Sequence, residues 1–163
     1  VRDGAPTTAI TALAQTPDGY LWVGTTTDGL LRFNGVDFRR VTDVDSAFGK
    51  WRTPITSLLV AKDGSLYVGA AWGLARLKDG AWKVIQGGEM FGRQVAGLAE
   101  AGDDTIWVSF TYRGYGWLKG DTLKLASFGG QWEPRSQPAP FHGLPWPRNH
   151  PNALPARTGP GRR

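Results

Sequence analysis

One pattern recurs three times in this chain at intervals of about 40 residues, and it leaves little choice of architecture. Ile10 to Val41 reads ITALAQTPDGYLWVGTTTDGLLRFNGVDFRRV, and Ile55 to Ile85 reads ITSLLVAKDGSLYVGAAWGLARLKDGAWKVI. A looser copy, VAGLAEAGDDTIWVSFTYRGYGWLKGDTLKL, runs from Val95 to Leu125. The offsets agree as well as the composition. Eight residues separate each strand start (Ile10, Ile55, Val95) from a turn acid (Asp18, Asp63, Asp103). Four more reach an aromatic residue, Trp22, Tyr67 or Trp107. Gly24 and Gly69 follow two residues later, with Ser109 in that place in the third copy. Gly29, Gly73 and Gly116 each stand three residues before a base: Arg32, Arg76 and Lys119. A period of this size marks a modular array, each module too small to bury its own apolar face.

Within a copy, short apolar runs alternate with turn chemistry. The first predicts strands over 10–14, 20–24, 30–33 and 36–41. Pro17-Asp18-Gly19 joins the first two, and Asn34-Gly35 is a hairpin signal between the last two. Alternation is clear in Leu21-Trp22-Val23, and no apolar run of helical period is long enough to predict a helix. Four antiparallel strands per repeat of this length make the blade of a β-propeller. The expected fold is therefore all-β, with three four-stranded blades in an incomplete propeller over 1–128 (repeats near 10–41, 55–85 and 95–128). Trp22, Tyr67 and Trp107 are expected to fill the wedge between blades. Each buries roughly 150–250 Å², a gross contribution of about 4–6 kcal/mol before entropy is set against it. Gly24 and Gly69 leave room where inner strands crowd.

After Phe128 the composition changes. Eight of the 11 prolines fall in residues 129–163, and proline removes the donors a sheet requires. This segment is read either as a disordered, Pro/Gly/Arg-rich tail or as non-native sequence from out-of-frame translation. It also accounts for most of the basicity. Residues 1–128 carry 14 Lys+Arg against 13 Asp+Glu, whereas the last 35 carry five Arg and one Glu. A near-neutral folded part with no basic stripe argues against a nucleic-acid partner. Cysteine is absent, so disulfides and thiolate metal sites are excluded. No apolar run reaches membrane-spanning length, and no signal-peptide pattern opens the chain. The chain begins at Val1 and its one methionine is Met90, so Val1 is not expected to be an ordinary translation start. Three blades do not close a ring, so the isolated chain is expected to be poorly soluble, self-associating through open blade faces, or only partly ordered.

Residues 3–128 resemble the two-component regulator propellers, found in periplasmic sensor regions of bacterial signalling proteins. The resemblance rests on Ile10, Asp18, Gly19, Leu21, Trp22, Gly24, Thr25, Gly29, Leu30, Arg32, Phe33 and Gly35, in that order. The second copy departs at Tyr67 and Ala70. The third departs at Asp104 and Ser109, with extra residues read around Tyr112 to Tyr115. The resemblance implies an N-terminal piece of a membrane-anchored sensor whose partners are further blades and an output domain. That output is commonly a histidine kinase or a diguanylate cyclase, and none of its motifs occurs in this chain.

No catalytic constellation stands out. Both histidines, His142 and His150, lie in the Pro-rich segment. Asp18, Asp63 and Asp103 read as turn residues, not metal ligands. Asp43-Val44-Asp45 with Gly49 lacks the closing Glu of a calcium loop and reads as a solvated inter-blade connector. No metal or cofactor is expected. Candidate ligand contacts are Trp51, Arg52, Trp72, Arg93, Tyr112, Arg113 and Tyr115, on the loops joining second to third strands and one blade to the next. Aromatic faces beside guanidinium groups suit stacking on sugars or aromatic ligands and pairing with carboxylates, so the expected partner is a saccharide or another small molecule. The expected function is a non-catalytic, ligand-sensing propeller segment of a periplasmic receptor. The alternatives are a fragment of a propeller enzyme (a polysaccharide lyase or a quinoprotein-like dehydrogenase) and a protein-binding scaffold.

Overall fold

The computed structural model describes residues 4–49, 52–85, 93–111 and 114–126. All lie in the first of two compact units, Val1–Gly130; the second, Gln131–Arg163, lies outside the described residues, as does the expected disordered tail. The first unit is three four-stranded antiparallel sheets, each a simple meander. Blade 1 holds β1 (Ile10–Gln15), β2 (Leu21–Thr25), β3 (Leu30–Phe33) and β4 (Phe38–Arg40). A short helix, α1 (Thr42–Phe48), leads to blade 2: β5 (Ile55–Val60), β6 (Leu66–Ala70), β7 (Gly73–Lys78) and β8 (Ala81–Ile85). Blade 3 holds β9 (Val95–Glu100), β10 (Ile106–Phe110), β11 (Gly114–Lys119) and β12 (Thr122–Leu125). The inner strands β1, β5 and β9 are mutual neighbours in that order, as in a propeller.

The three turn acids shape their own β-turns. Asp63 Oδ1 accepts from the Ser65 N–H at 2.9 Å, and Asp103 Oδ1 from the Thr105 N–H at 3.3 Å. In blade 1 the Thr16 hydroxyl donates to Asp18 Oδ1 at 2.5 Å and accepts from Trp22 Nε1 at 2.8 Å, tying the turn to the buried indole. Asp63 also accepts from Lys78 Nζ at 2.8 Å. That hydrogen bond is the main reason its pKa falls from 3.8 to about 2, against an opposing push from burial. A carboxylate depressed in the folded state stabilises the fold above its unfolded pKa. The contribution is lost as pH falls from about 4 towards 2. We expect an NMR titration of Asp63 to give a midpoint near 2, and Lys78→Gln to raise it towards the ordinary carboxylate range, the Ser65 hydrogen bonds remaining. An unchanged midpoint in the variant would assign the shift to the turn alone.

The cores lie between blades, not within them. One layer joins Trp22 and Leu30 of blade 1 to Ile55, Leu66, Val68, Ala70 and Ala75 of blade 2. The other joins Tyr67 and Leu74 of blade 2 to Val95, Ile106, Val108 and Leu118 of blade 3. Each glycine after the aromatic is the socket for the next inner strand. A Cβ built on Gly24 would sit 2.6 Å from Ile55 Cγ2, and one on Gly69 would sit 2.5 Å from Val95 Cγ1. A hydroxyl closes each joint: Thr11 Oγ1 donates to the Ile55 carbonyl at 2.6 Å, and Thr56 Oγ1 to that of Val95 at 2.5 Å.

Blade 3 departs from this plan on its corresponding face. Ala96 replaces the threonine and Ser109, exposed, replaces the glycine. Register also corrects the alignment of the third copy. Trp107 pairs with Trp117 as Trp22 pairs with Arg32 and Tyr67 with Arg76, so Trp117, not Lys119, holds the place of the base. Gly114, not Gly116, is then the counterpart of Gly29 and Gly73. The span from Ser109 to Gly114 equals that from Gly24 to Gly29 and is one residue longer than that from Gly69 to Gly73, so no insertion separates blade 3 from blade 1. The indole of Trp107 lies 5.8 Å from that of Trp117 and 5.9 Å from the Tyr115 ring, centroid to centroid, and all three are partly buried.

The connector after blade 1 is not a solvated loop. Residues 42–48 are helical, and Gly49 ends the helix in the left-handed region at φ 63. Val44 and Phe48, four residues apart and therefore on one helix face, join the core between blades 1 and 2. Three apolar positions, Val44, Ala47 and Phe48, in a seven-residue helix are too few for a period to register in the sequence.

Candidate functional site

Antiparallel meanders put the β2–β3, β6–β7 and β10–β11 turns at one end of the blades, together with the connectors between blades. Part of this end is a polar network around α1. Asp45, 4% exposed, accepts from an Arg40 guanidinium nitrogen on β4 through Oδ2, and from the Thr53 N–H at 3.0 Å through Oδ1. Arg40 Nε also donates to the Asp28 carbonyl at 3.0 Å. The Asp28 carboxylate in turn accepts from the Thr8 hydroxyl at 3.2 Å and the Thr7 N–H at 3.3 Å. One buried acid thus clamps the turn after β2, the end of β4 and the entry to β5.

The candidate residues hang on this frame unequally. Arg52 enters β5 with a left-handed backbone (φ 53) that a non-glycine residue adopts only where neighbours hold it. Its guanidinium, half exposed, is 4.0 Å from Asp28 Oδ1, a loose pair with donors to spare. Trp72 occupies the two-residue turn between β6 and β7 and is 49% exposed. Arg93, on the segment entering β9, is partly buried, with its guanidinium carbon 5.9 Å from the Phe110 ring centroid. Tyr115 is placed differently. Opposite Ser109 in the ladder, it lies on the sheet face of blade 3 against Trp107, not at the turn. Trp51, Tyr112 and Arg113 lie outside the described residues. Arg40, Asp45 and Asp28 were not among the candidates. The available signal was Asp43-Val44-Asp45 ahead of Gly49, which marks a helix with an acidic first turn and a left-handed end.

Arg52, Trp72 and Arg93 therefore share an end of the array that offers an aromatic face and guanidinium donors. Among the described residues no group of three or more His, Asp or Glu converges to hold a metal ion. Among them, too, no helix is long and apolar enough to cross a membrane.

Residues 4–27 match the two component regulator propeller family. No curated protein matches the chain significantly. Solved structures share the fold at low identity. An extracellular domain from B. thetaiotaomicron, described as part of a hybrid two component system, is 22% identical at a TM-score of 0.62, over 76% of this chain and 17% of that one. Virginiamycin B lyase from Staphylococcus aureus is 12% identical at 0.58, over 77% of this chain and 43% of the enzyme. PorZ, a surface component of the type-IX secretion system of Porphyromonas gingivalis, is 15% identical at 0.55, over 82% and 23%. This chain thus spans less than half the length of each.

Proposed function

We propose that this chain, whose residues 4–27 are a two-component regulator propeller repeat, is a non-catalytic, ligand-sensing segment of a signal-transduction receptor. The receptor is periplasmic in this reading and couples ligand binding to a kinase or cyclase output. One observation carries the ligand-sensing part: Trp72 is 49% exposed at a blade turn, on the end that also carries Arg52 and Arg93. An indole face stacks on a sugar ring or another flat apolar surface, and guanidinium groups pair with carboxylates or hydroxyls. A saccharide is the ligand class that uses both. Ligand that favours one packing of the blades over another shifts the population of receptor states, which is sufficient to bias an output.

Calorimetric titration of the chain against neutral and uronic oligosaccharides tests this reading. We expect at least one saturable ligand, weakened about tenfold or more by Trp72→Ala and by Arg52→Ala, the loss typical of an aromatic or arginine anchor. Absence of binding across the panel, or a ligand that both variants retain, overturns it.

A further inference from the structure

The repeats provide an internal comparison at the opposite end of the blades, remote from the loops discussed above. In blade 2, Arg76 on β7 faces Lys83 on β8 across the ladder. Like charges directly opposite one another repel, and here blade 3 relieves them. Asp121, from the β11–β12 turn, lies 2.8 Å from the Arg76 guanidinium through Oδ1 and 2.6 Å from Lys83 Nζ through Oδ2. The Lys83 hydrogen bond, with the charges of Arg76 and Lys83, holds the Asp121 carboxyl below its ordinary pKa.

Blade 1 has the same cation pair at the same register, Arg32 on β3 opposite Arg39 on β4. No acid from blade 2 reaches it, and turn chemistry explains why. Blade 3 turns through Gly120-Asp121, with only Gly120 at positive φ (63), so its acid takes the second turn position. Blade 2 turns through Asp79-Gly80 with both residues at positive φ (50 and 78). That is the pattern of a type I′ turn, which favours glycine second and moves the acid to the first position. Gly80 therefore stands where Asp121 does, and it has no side chain. Among the described residues neither Arg32 nor Arg39 has an acidic oxygen within 4.0 Å.

Arg32 is nonetheless held in place, its guanidinium carbon 4.3 Å above the Tyr20 ring centroid and 5.9 Å from that of Trp22. A guanidinium stacked by its face keeps its edge N–H groups for a carboxylate. Around it Tyr20, Arg32, Asn34, Asp37 and Arg39 line a cleft of about 260 Å³. Asp37 supplies one negative charge against two positive, so the cleft remains net cationic.

We infer that the Arg32–Arg39 pair is a binding site for a small-molecule carboxylate, taking from solution the group that Asp121 supplies to the next blade. This site is independent of the loop-end reading and stands or falls separately. The test follows arginine Nε resonances of the full chain by NMR, titrating acetate against its neutral isostere acetamide at constant ionic strength. Arg32 and Arg39 are expected to move saturably with acetate and not with acetamide, while Arg76, already paired, stays fixed. The double variant Asp79→Gly/Gly80→Asp rebuilds the Gly-Asp turn and is expected to weaken the acetate response about tenfold or more, a difference of about 1.4 kcal/mol. Should that variant fail to fold, Arg39→Gln is expected to remove the response at Arg32. No acetate response at Arg32, an equal one at Arg76, or one unchanged in the folded variants overturns the proposal.

Discussion

Asp45→Ala is expected to cost about 3–5 kcal/mol of unfolding free energy, the range for breaking one side of a buried ion pair. The carboxylate is 4% exposed and meets two separate donors, Arg40 and the Thr53 N–H. Its removal takes the Asp45 charge away from the guanidinium, about one-fifth exposed, and leaves a buried N–H without that acceptor. Asp45→Asn keeps an oxygen for Thr53 and loses the charge, so it is expected to fall between wild type and alanine. Replacing both partners, as Arg40→Met with Asp45→Leu, is expected to recover only part of the loss: the charge imbalance is gone, but the buried Thr53 N–H still lacks its acceptor. Urea denaturation checks all three. A cost below about 1 kcal/mol for Asp45→Ala would be the signature of an exposed pair, and would show that water reaches the network.

Ile55→Ala is expected to cost about 2–5 kcal/mol, the range for an aliphatic side chain cut back in a packed core. Ile10→Ala is expected to stay within about 0.5 kcal/mol. The two residues are equivalents in the repeat, so the contrast isolates their surroundings. Ile55 is fully buried against Gly24, whereas Ile10 is 53% exposed. Val95, fully buried against Gly69, is expected to behave as Ile55 does, with a smaller loss because fewer atoms are removed. Equal losses at residues 10 and 55 would mean that strand-start side chains act within their own sheet and not across the joint.

How much of this was readable beforehand depended on which residues repeat. The spacing of Trp22 with Gly24, and of Tyr67 with Gly69, predicts both the blades and the surfaces on which they meet, because packing enforces the same residues each time. Where blade 3 departs from the pattern, sequence matching slipped by two residues. A glycine three before a base exists there by coincidence, and only the ladder shows that Trp117 faces Trp107. Helix α1 escapes a periodicity reading because its evidence is three apolar residues and a terminal glycine. The Arg40–Asp45 contact joins residues five apart across a change from strand to helix, and no periodic rule covers such a step. At the candidate site, composition identified Arg52, Trp72 and Arg93 as chemically apt. It could not tell that Tyr115 would lie on a sheet face, since that depends on register. The cation pair of blade 1 is visible in sequence only once Gly80 is aligned with Asp121, and that alignment rests on the turns.

The glycine socket has a direction, and direction makes blades into parts with a defined order of assembly. Gly24 admits Ile55 and Gly69 admits Val95, so in blades 1 and 2 the socket receives a β-branched strand start from the blade that follows. Blade 3 differs. Ser109 plugs its socket and Ala96 lacks the hydroxyl that fastens the joint, so a copy of blade 2 grafted behind it would meet a Cβ where its isoleucine needs space. Blade 3 is therefore a position at which a copy of blade 2 does not extend the array.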